Sequence, residues 1–236
     1  MRAIALANQK GGVGKTTTAV NLATAFAASG KRVVVVDFDP QGNASTGFGI
    51  GRDRRQPSSY ELLFEPDLAE AAAQQTLVPG LRVIPSAESL AGAEVELVGE
   101  ANAAGRLKHA VAGLVDTDYV FIDCPPSLSL LTLNALVAAD SVLVPLQTEF
   151  YALEGLSQLM KTLEQVRSRQ NPALEIEGVV LTMYDRRNRL SEQVASDVRA
   201  ALGARVFETV IPRNVRLSEA PSHGIPALLY DLRSSG

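Results

Sequence analysis

Residues 9–17, Gln9-Lys10-Gly11-Gly12-Val13-Gly14-Lys15-Thr16-Thr17, concentrate groups that hold anionic oxygen. Gly11, Gly12 and Gly14 allow the backbone to bend tightly and turn its N–H groups onto phosphate oxygens. The apolar run Ile4-Ala5-Leu6-Ala7 leads in as a buried strand. Ala19, Leu22, Ala23 and Phe26 then recur at helical spacing, which predicts a helix from about Lys15 to Ser29. The partial positive charge at that helix's N-terminus adds to the cradle. In this strand–turn–helix setting Lys15 reaches the β- and γ-phosphates of a nucleoside triphosphate, and Thr16 offers its hydroxyl to Mg²⁺. Lys10 to Thr17, with Val13 and Thr17 included, is the candidate phosphate cradle. The usual spacing, G-x-x-x-x-G-K-[ST], asks for glycine at position 9, where this chain has Gln9 and then Lys10. The loop is a variant that opens with a second lysine. A Gly-rich turn with no ligand is the plain alternative. Three glycines, a lysine and a threonine in register between strand and helix argue against it.

Carboxylates follow at strand ends. Val33-Val34-Val35-Val36 is a continuous β-branched run, as a parallel strand buried on both faces requires, and it ends in Asp37-Phe38-Asp39-Pro40-Gln41-Gly42-Asn43. Val120-Phe121-Ile122 likewise ends in Asp123, followed by Cys124-Pro125-Pro126. Carboxylates just past the carboxyl ends of parallel strands sit on the rim where α/β sheets bind ligands. An Asp there orients water or supports a metal ion beside phosphate. Many strands end in Asp, so Asp123 alone is a weak signal; after the phosphate loop it becomes a strong one. Pro40 and Gly42 also make a polar turn, which does not compete with the functional reading.

These residues need a scaffold. Leu81–Pro85, Ser141–Leu146 and Ile176–Met183 read as further strands, and Leu128–Val137 and Tyr151–Arg169 as helices, the latter with an apolar stripe of Leu153, Leu156, Leu159 and Leu163. Ser86 begins an Ala- and Glu-rich helical stretch that Gly105 interrupts. Ser58 or Ser59 caps a short helix through Leu62 to Phe64, and Asp67 caps another. Arg52, Arg54 and Arg55 read as a solvated face. The order of β and α segments fits one doubly wound, mostly parallel sheet flanked by helices, with residues 1–236 as a single domain.

Composition narrows the classes. The net charge is −4, so nucleic-acid binding must come from a local patch. Residues 181–220 hold seven arginines against five acids, whereas residues 1–180 carry a net −6. Arginine grips phosphate bidentately, so this late patch suits a DNA backbone, with a salt-bridged helix surface as the equal alternative. The one cysteine, Cys124, excludes an internal disulfide and reads as a small buried residue rather than a nucleophile. His109 and His223 read as ordinary surface or loop residues. The N-terminal apolar run is too short for a signal peptide, and no stretch reaches the roughly 18 apolar residues of a membrane span. A cytoplasmic protein is the expectation.

The two-lysine loop K-G-G-V-G-K-T-T, with D-x-D-P-Q-G-N and D-C-P-P, resembles the ParA/MinD ATPases, whose deviant Walker A loop carries the extra lysine. The resemblance implies that Lys10 reaches in trans to the partner's nucleotide across an ATP-bound homodimer, while Lys15 acts in cis. It implies that Asp39 positions the attacking water near Mg²⁺, and that Asp123 is the Walker B aspartate. Thr182–Arg187 and Ile211–Ser222 are similar to chromosomal ParA (Soj) proteins, in which arginines bind non-specific DNA across the dimer. Arg187 and Arg216 match those positions best, with Arg189, Arg213 and Arg186 following. Pro212 and Asn214 match residues lining the adenine pocket. A ParB-type partner that stimulates hydrolysis, and nucleoid association, are implied with them. The chain stops at Asp231-Leu232-Arg233-Ser234-Ser235-Gly236, where the resemblance implies a further helix. It also lacks the N-terminal helix-turn-helix of larger plasmid ParA proteins, which argues against operator-specific repression. A MinD-like membrane ATPase is the alternative and would need a basic amphipathic C-terminal helix. An iron–sulfur carrier on the same fold would need paired cluster cysteines, and a metabolic ligase would need a second-substrate pocket.

Overall fold

The computed structural model describes residues 1–234; Ser235 and Gly236, the last residues of the tail, lie outside that range. Eight strands form one sheet: β1 (Arg2–Leu6), β2 (Val33–Asp37), β3 (Gln74–Gln75), β4 (Leu81–Ile84), β5 (Tyr119–Asp123), β6 (Ser141–Gln147), β7 (Glu175–Tyr184) and β8 (Val206–Pro212). Their spatial order is β3-β4-β2-β5-β1-β6-β7-β8, and among the described residues only the β3–β4 pairing is antiparallel. Around them run α1 (Lys15–Ala28), α2 (Asn43–Gly47), α3 (Ala69–Ala72), α4 (Leu90–Glu96), α5 (Arg106–Ala112), α6 (Leu130–Ala138), α7 (Ala152–Arg169), α8 (Arg189–Leu202), α9 (Val215–Glu219) and α10 (Ala227–Tyr230). The doubly wound, mostly parallel sheet is the expected architecture.

The strand sequences explain why both faces are covered. Alternate residues point to opposite faces, so a continuous apolar run feeds two cores. Ile4, Leu6, Val33, Val35, Phe121 and Leu143 pack with Ala19, Val20, Ala23 and Ala27 of α1. Ala3, Ala5, Val34, Val36, Val120, Ile122, Val142 and Val144 pack on the other side with residues of α4 to α8. Phe26 sets its ring edge-on to Phe121 at 5.3 Å and to Tyr119 at 4.7 Å, locking α1 against β5. Phe121 is fully buried there. Phe121→Ala is expected to cost about 3–5 kcal/mol of unfolding free energy, read by urea denaturation.

Several local expectations need correction. Leu62 and Leu63 lie on a single 3-10 turn, Glu61–Leu63, and Pro66–Leu68 is another. Ser58 does not cap a helix by accepting from it alone: its N–H and hydroxyl both donate to Glu61 Oε2 (2.8 and 2.6 Å) while its Oγ accepts from Tyr60 N–H. Asp67 does not cap α3, whose N-cap is Leu68. Leu153 is 38% exposed, so the buried stripe of α7 is Ala152, Leu156, Leu159, Leu163 and Val166. Arg55 is not part of a solvated face; it is buried, with its guanidinium donating to Thr46 Oγ1 (2.8 Å), Ile50 O (3.2 Å) and Ser86 O (3.4 Å). Its charge is hidden because the 42–57 segment folds back over it.

Candidate functional site

Register alone gathers the candidate residues. Leu6, the last residue of β1, pairs with Asp123, and Asp37 pairs with Asp123 from the other side. The loop leaving β1 and the carboxylates ending β2 and β5 therefore share one level at the carboxyl edge of the sheet. That is the ligand-binding edge of an open α/β sheet.

The loop is pinned at its start and at its middle. Asn8 donates to Pro145 O (2.8 Å), and its Oδ1 accepts from Lys10 N–H (3.0 Å). Thr182 Oγ1 donates to Val13 O (2.8 Å), tying the middle of the loop to β7. Gly12 and Gly14 take left-handed φ of 74° and 89°, which a side chain would resist. Helix α1 starts after Gly14 with no side-chain cap and no acidic residue in its first turn. Its first N–H groups are left for an outside acceptor, the arrangement an anion site requires.

Both lysines are engaged within the chain. Lys15 Nζ donates to Lys10 O (3.0 Å). Burial pulls the Lys15 ammonium below its ordinary pKa, while Asp123, Cys124 and Asp39 push the other way. Lys10 forms an ion pair with Glu149, just beyond β6. Gln9 Nε2 donates to Gln158 Oε1 of α7 (2.7 Å). Glu149 escaped the sequence reading, although its position past a strand's carboxyl end is the signal that flagged Asp39.

The three aspartates differ. Asp37 is fully buried and saturated: its Oδ2 accepts from Ser45 N–H (2.7 Å) and Ser45 Oγ (2.6 Å), and Oδ1 from Asp39 N–H (3.4 Å). Burial pushes its pKa up to about 6, with Ser45 opposing the shift. Asp39 is 7% exposed, and its Oδ1 accepts from Gln41 N–H (3.0 Å). Asp123 is fully buried beside the Thr16 hydroxyl, and neither carboxylate oxygen is satisfied by a hydrogen bond of ordinary length and angle among the described residues. Burial raises its pKa well above the ordinary carboxylate value, helped by Asp37 and opposed by Thr16 and Lys15. An orphaned buried carboxylate beside a threonine hydroxyl suits a hard divalent cation, whose other oxygen ligands come from phosphate and water. The residues present therefore fit Mg²⁺ held by Thr16 and Asp123. Cys124 is buried, and burial drives its thiol far up in pKa, so it is inert as a nucleophile.

The arginine segments meet at the same edge, farther along the sheet. Tyr184 at the end of β7 pairs with Pro212 at the end of β8, which brings residues 185–189 beside residues 213–216. Arg187 is doubly bonded to Asp185, with Nε and Nη2 each donating at 3.0 Å. Asp185 is held down to about 2 by Arg187, with Arg213 contributing through its charge. Arg216 pairs with Glu219 (2.8 Å) and Asp231 (3.5 Å). Arg186, Arg189 and Arg213 are exposed. Arg199 instead donates to Phe207 O and Glu208 O, joining α8 to β8. Asn214 caps α9, accepting from Arg216 N–H (2.8 Å) and donating to Ser234 Oγ (2.8 Å). His223 is exposed and stacks on Tyr230 at 4.9 Å, and His109 is exposed on α5. No helix among the described residues is long and apolar enough to cross a membrane.

Comparison with known proteins agrees with this geometry. A family model described as an AAA domain matches residues 1–176. The chromosome partitioning protein ParA of Caulobacter vibrioides is 59% identical over 239 residues, covering all of this chain and 90% of that protein. The sporulation initiation inhibitor protein Soj of Bacillus subtilis is 53% identical, covering 99% of this chain and 92% of that one. Among solved structures, one from Mycobacterium smegmatis, described as cobyrinic acid a,c-diamide synthase with bound ATP analog and magnesium, superposes with a TM-score of 0.86 at 39% identity. It covers 95% of this chain and 93% of that one. Identity above one half across the full length carries more than the fold: the chain belongs to the ParA/Soj family of chromosome-partitioning ATPases.

Proposed function

We propose that residues 1–236 act as one ATPase domain whose Mg²⁺-ATP-bound homodimer holds non-specific DNA, and that hydrolysis, stimulated by a ParB-type partner, releases it. The observation that carries this reading is the orphaned Asp123 carboxylate at the level of the phosphate loop. Buried charge without a partner is costly, and a bound cation offsets that cost. The magnesium and nucleotide named in the M. smegmatis structure's description support the same assignment. When bound, Mg²⁺ would neutralise charge on the β- and γ-phosphates. Thr16 and Asp123 would hold it, Lys15 would bind the same phosphates, and the Gly11–Thr17 N–H groups would cradle them. Asp39 would orient the attacking water. Pro212 and Asn214 would border the base. Lys10 would leave Glu149 and reach the partner's nucleotide. Arg187, Arg189, Arg213 and Arg216 would contact DNA phosphates from both protomers.

The M. smegmatis likeness, at 39%, weighs less for activity than 59% identity to a ParA. Likeness to the Pyrococcus furiosus cell division ATPase MinD, at 28% identity, keeps a membrane-surface role as the alternative, which liposome binding decides. Sedimentation velocity tests the main reading. Mg²⁺-ATP is expected to convert monomer to dimer, ADP is not, and Lys10→Ala abolishes the shift. A sedimentation profile identical with ATP and ADP would count against it.

The Asp123 environment gives a separate prediction. A folded-state pKa raised above the ordinary 3.8 means the folded chain holds protons that the unfolded chain releases. This contribution to stability is therefore fully present below about pH 4 and is lost as pH rises through the raised folded-state values, about 6 for Asp37 and well above 3.8 for Asp123. Asp123→Asn removes its share. The nucleotide-free variant is expected to melt about 2–4 °C above the parent at pH 8, with a smaller gap at pH 5. It also loses the stabilisation that Mg²⁺-ATP gives the parent. Thermal melts at both pH values check this.

A further inference from the structure

Helix α2 is the first element after Asp39, and it is held on two sides. On one, Ser45 is bonded to Asp37, and Arg55 fixes Thr46 and Ile50 to the 86 loop. On the other, the chain turns at Gly49, whose N–H donates to Thr46 O (2.9 Å). There it meets Gly224. A Cβ built on Gly49 would lie 2.9 Å from Gly224 O, and one built on Gly224 would lie 2.9 Å from Gly49 Cα. Both residues have left-handed φ, 75° and 65°. Two backbones touch with no side chain between them, which only glycine permits at such φ values.

Gly224 closes the turn that follows the helix carrying Arg216. Its N–H donates to Pro221 O (3.0 Å), closing the turn Ala220–His223 that continues directly from α9. Ala220 is buried, as are Ala44 and Phe48 of the facing segment. The same turn governs what Arg216 touches. His223 stacks on Tyr230, and Tyr230 shares Glu219 with Arg216.

We propose that the Gly49–Gly224 contact is the mechanical link by which the nucleotide at Asp37–Asp39 sets the position of the Arg216 segment. The proposal rests on the reading that Arg216 holds DNA. A close-packed backbone contact has no compliant layer. With Arg55 clamping Thr46 and Ile50, a shift of the Asp39 segment passes into the 220–224 turn. ATP and DNA then bias one two-state element, so each raises the affinity of the other.

Gly224→Ala in the full chain tests the link. The variant is expected to keep Mg²⁺-ATP affinity and the ATP dimer, while the ratio of DNA affinities with ATP and with ADP falls by about tenfold, within the range of typical coupling. Gly30→Ala, at a left-handed glycine (φ 84°) with open space where its Cβ would go, adds the same backbone strain away from the contact and keeps the ratio. An unchanged ratio in Gly224→Ala overturns the proposal. If that variant does not fold, hydrogen exchange on the unmodified contact decides. In a Lys10→Ala background without DNA, the amides of residues 215–225 are expected to change protection when Mg²⁺-ATP binds. No response there overturns the link. If the parent shows no ATP-dependent DNA binding, the functional reading fails, and the link is judged by exchange alone.

Discussion

An Asp39→Ala variant is expected to bind Mg²⁺-ATP and DNA as the parent does and to hydrolyse ATP about 10²–10³-fold more slowly. Asp39 lies two residues past the end of β2, almost buried, with Oδ1 oriented by the Gln41 N–H. A carboxylate that orients the attacking water acts only as the reaction proceeds, so kcat falls while KM holds. Asp37 is a poor candidate for the same task because Ser45 and the Asp39 N–H already occupy both its oxygens. Steady-state phosphate release measures the effect. Under the proposed release of DNA by hydrolysis, the variant should also stay on DNA longer. Turnover at the parent rate would remove Asp39 from the reaction.

Arg216→Glu is the second large effect: DNA affinity is expected to fall by at least about 100-fold while ATP-dependent dimerisation persists. In the DNA-free chain Arg216 pairs with Glu219 and Asp231, and all three side chains are more than a third exposed or close to it. Exposed pairs of this kind are worth about 0–1 kcal/mol, so in the proposed complex DNA phosphates would compete for the guanidinium with little opposition. Reversing the charge places a third carboxylate beside Glu219 and Asp231 and repels the backbone. Each protomer loses about one phosphate contact, so the slope of log affinity against log salt shrinks by about two per dimer. The loss is uniform across sequences because phosphate contacts carry no base information. Glu219→Gln works the other way, releasing Arg216 and tightening binding. Fluorescence anisotropy at several salt concentrations checks both. Equal affinity of Arg216→Glu and parent would remove the residue from the interface.

What could be read from the sequence follows from how local each cause is. The Val33–Val36 and Ile4–Ala7 runs declare buried strands because every residue faces one of two cores. The loop and its helix are contiguous, so spacing alone exposes them. Asp39 and Asp123 were legible because a strand's carboxyl end is a local address. Glu149 has that address too, yet its meaning comes from Lys10, far away in the chain. Arg55 read as surface because it stands among charged neighbours, and only the fold-back of the 42–57 segment buries it. The 58–68 segment defied helix assignment because Pro66 and short apolar spacing permit only single 3-10 turns. The segments around Arg187 and Arg216 share an edge through the β7–β8 register, which no local pattern announces. The Gly49–Gly224 meeting is of the same kind: each glycine reads alone as a turn residue.

The most direct measurement is an anisotropy titration of a labelled random-sequence duplex with this protein under Mg²⁺-ATP, Mg²⁺-ADP and no nucleotide, with the bound mass determined in the same samples. Tight binding with ATP alone, by a species of twice the monomer mass and weakening steeply with salt, is the result expected. A monomer that grips the duplex equally well in all three conditions would contradict the account.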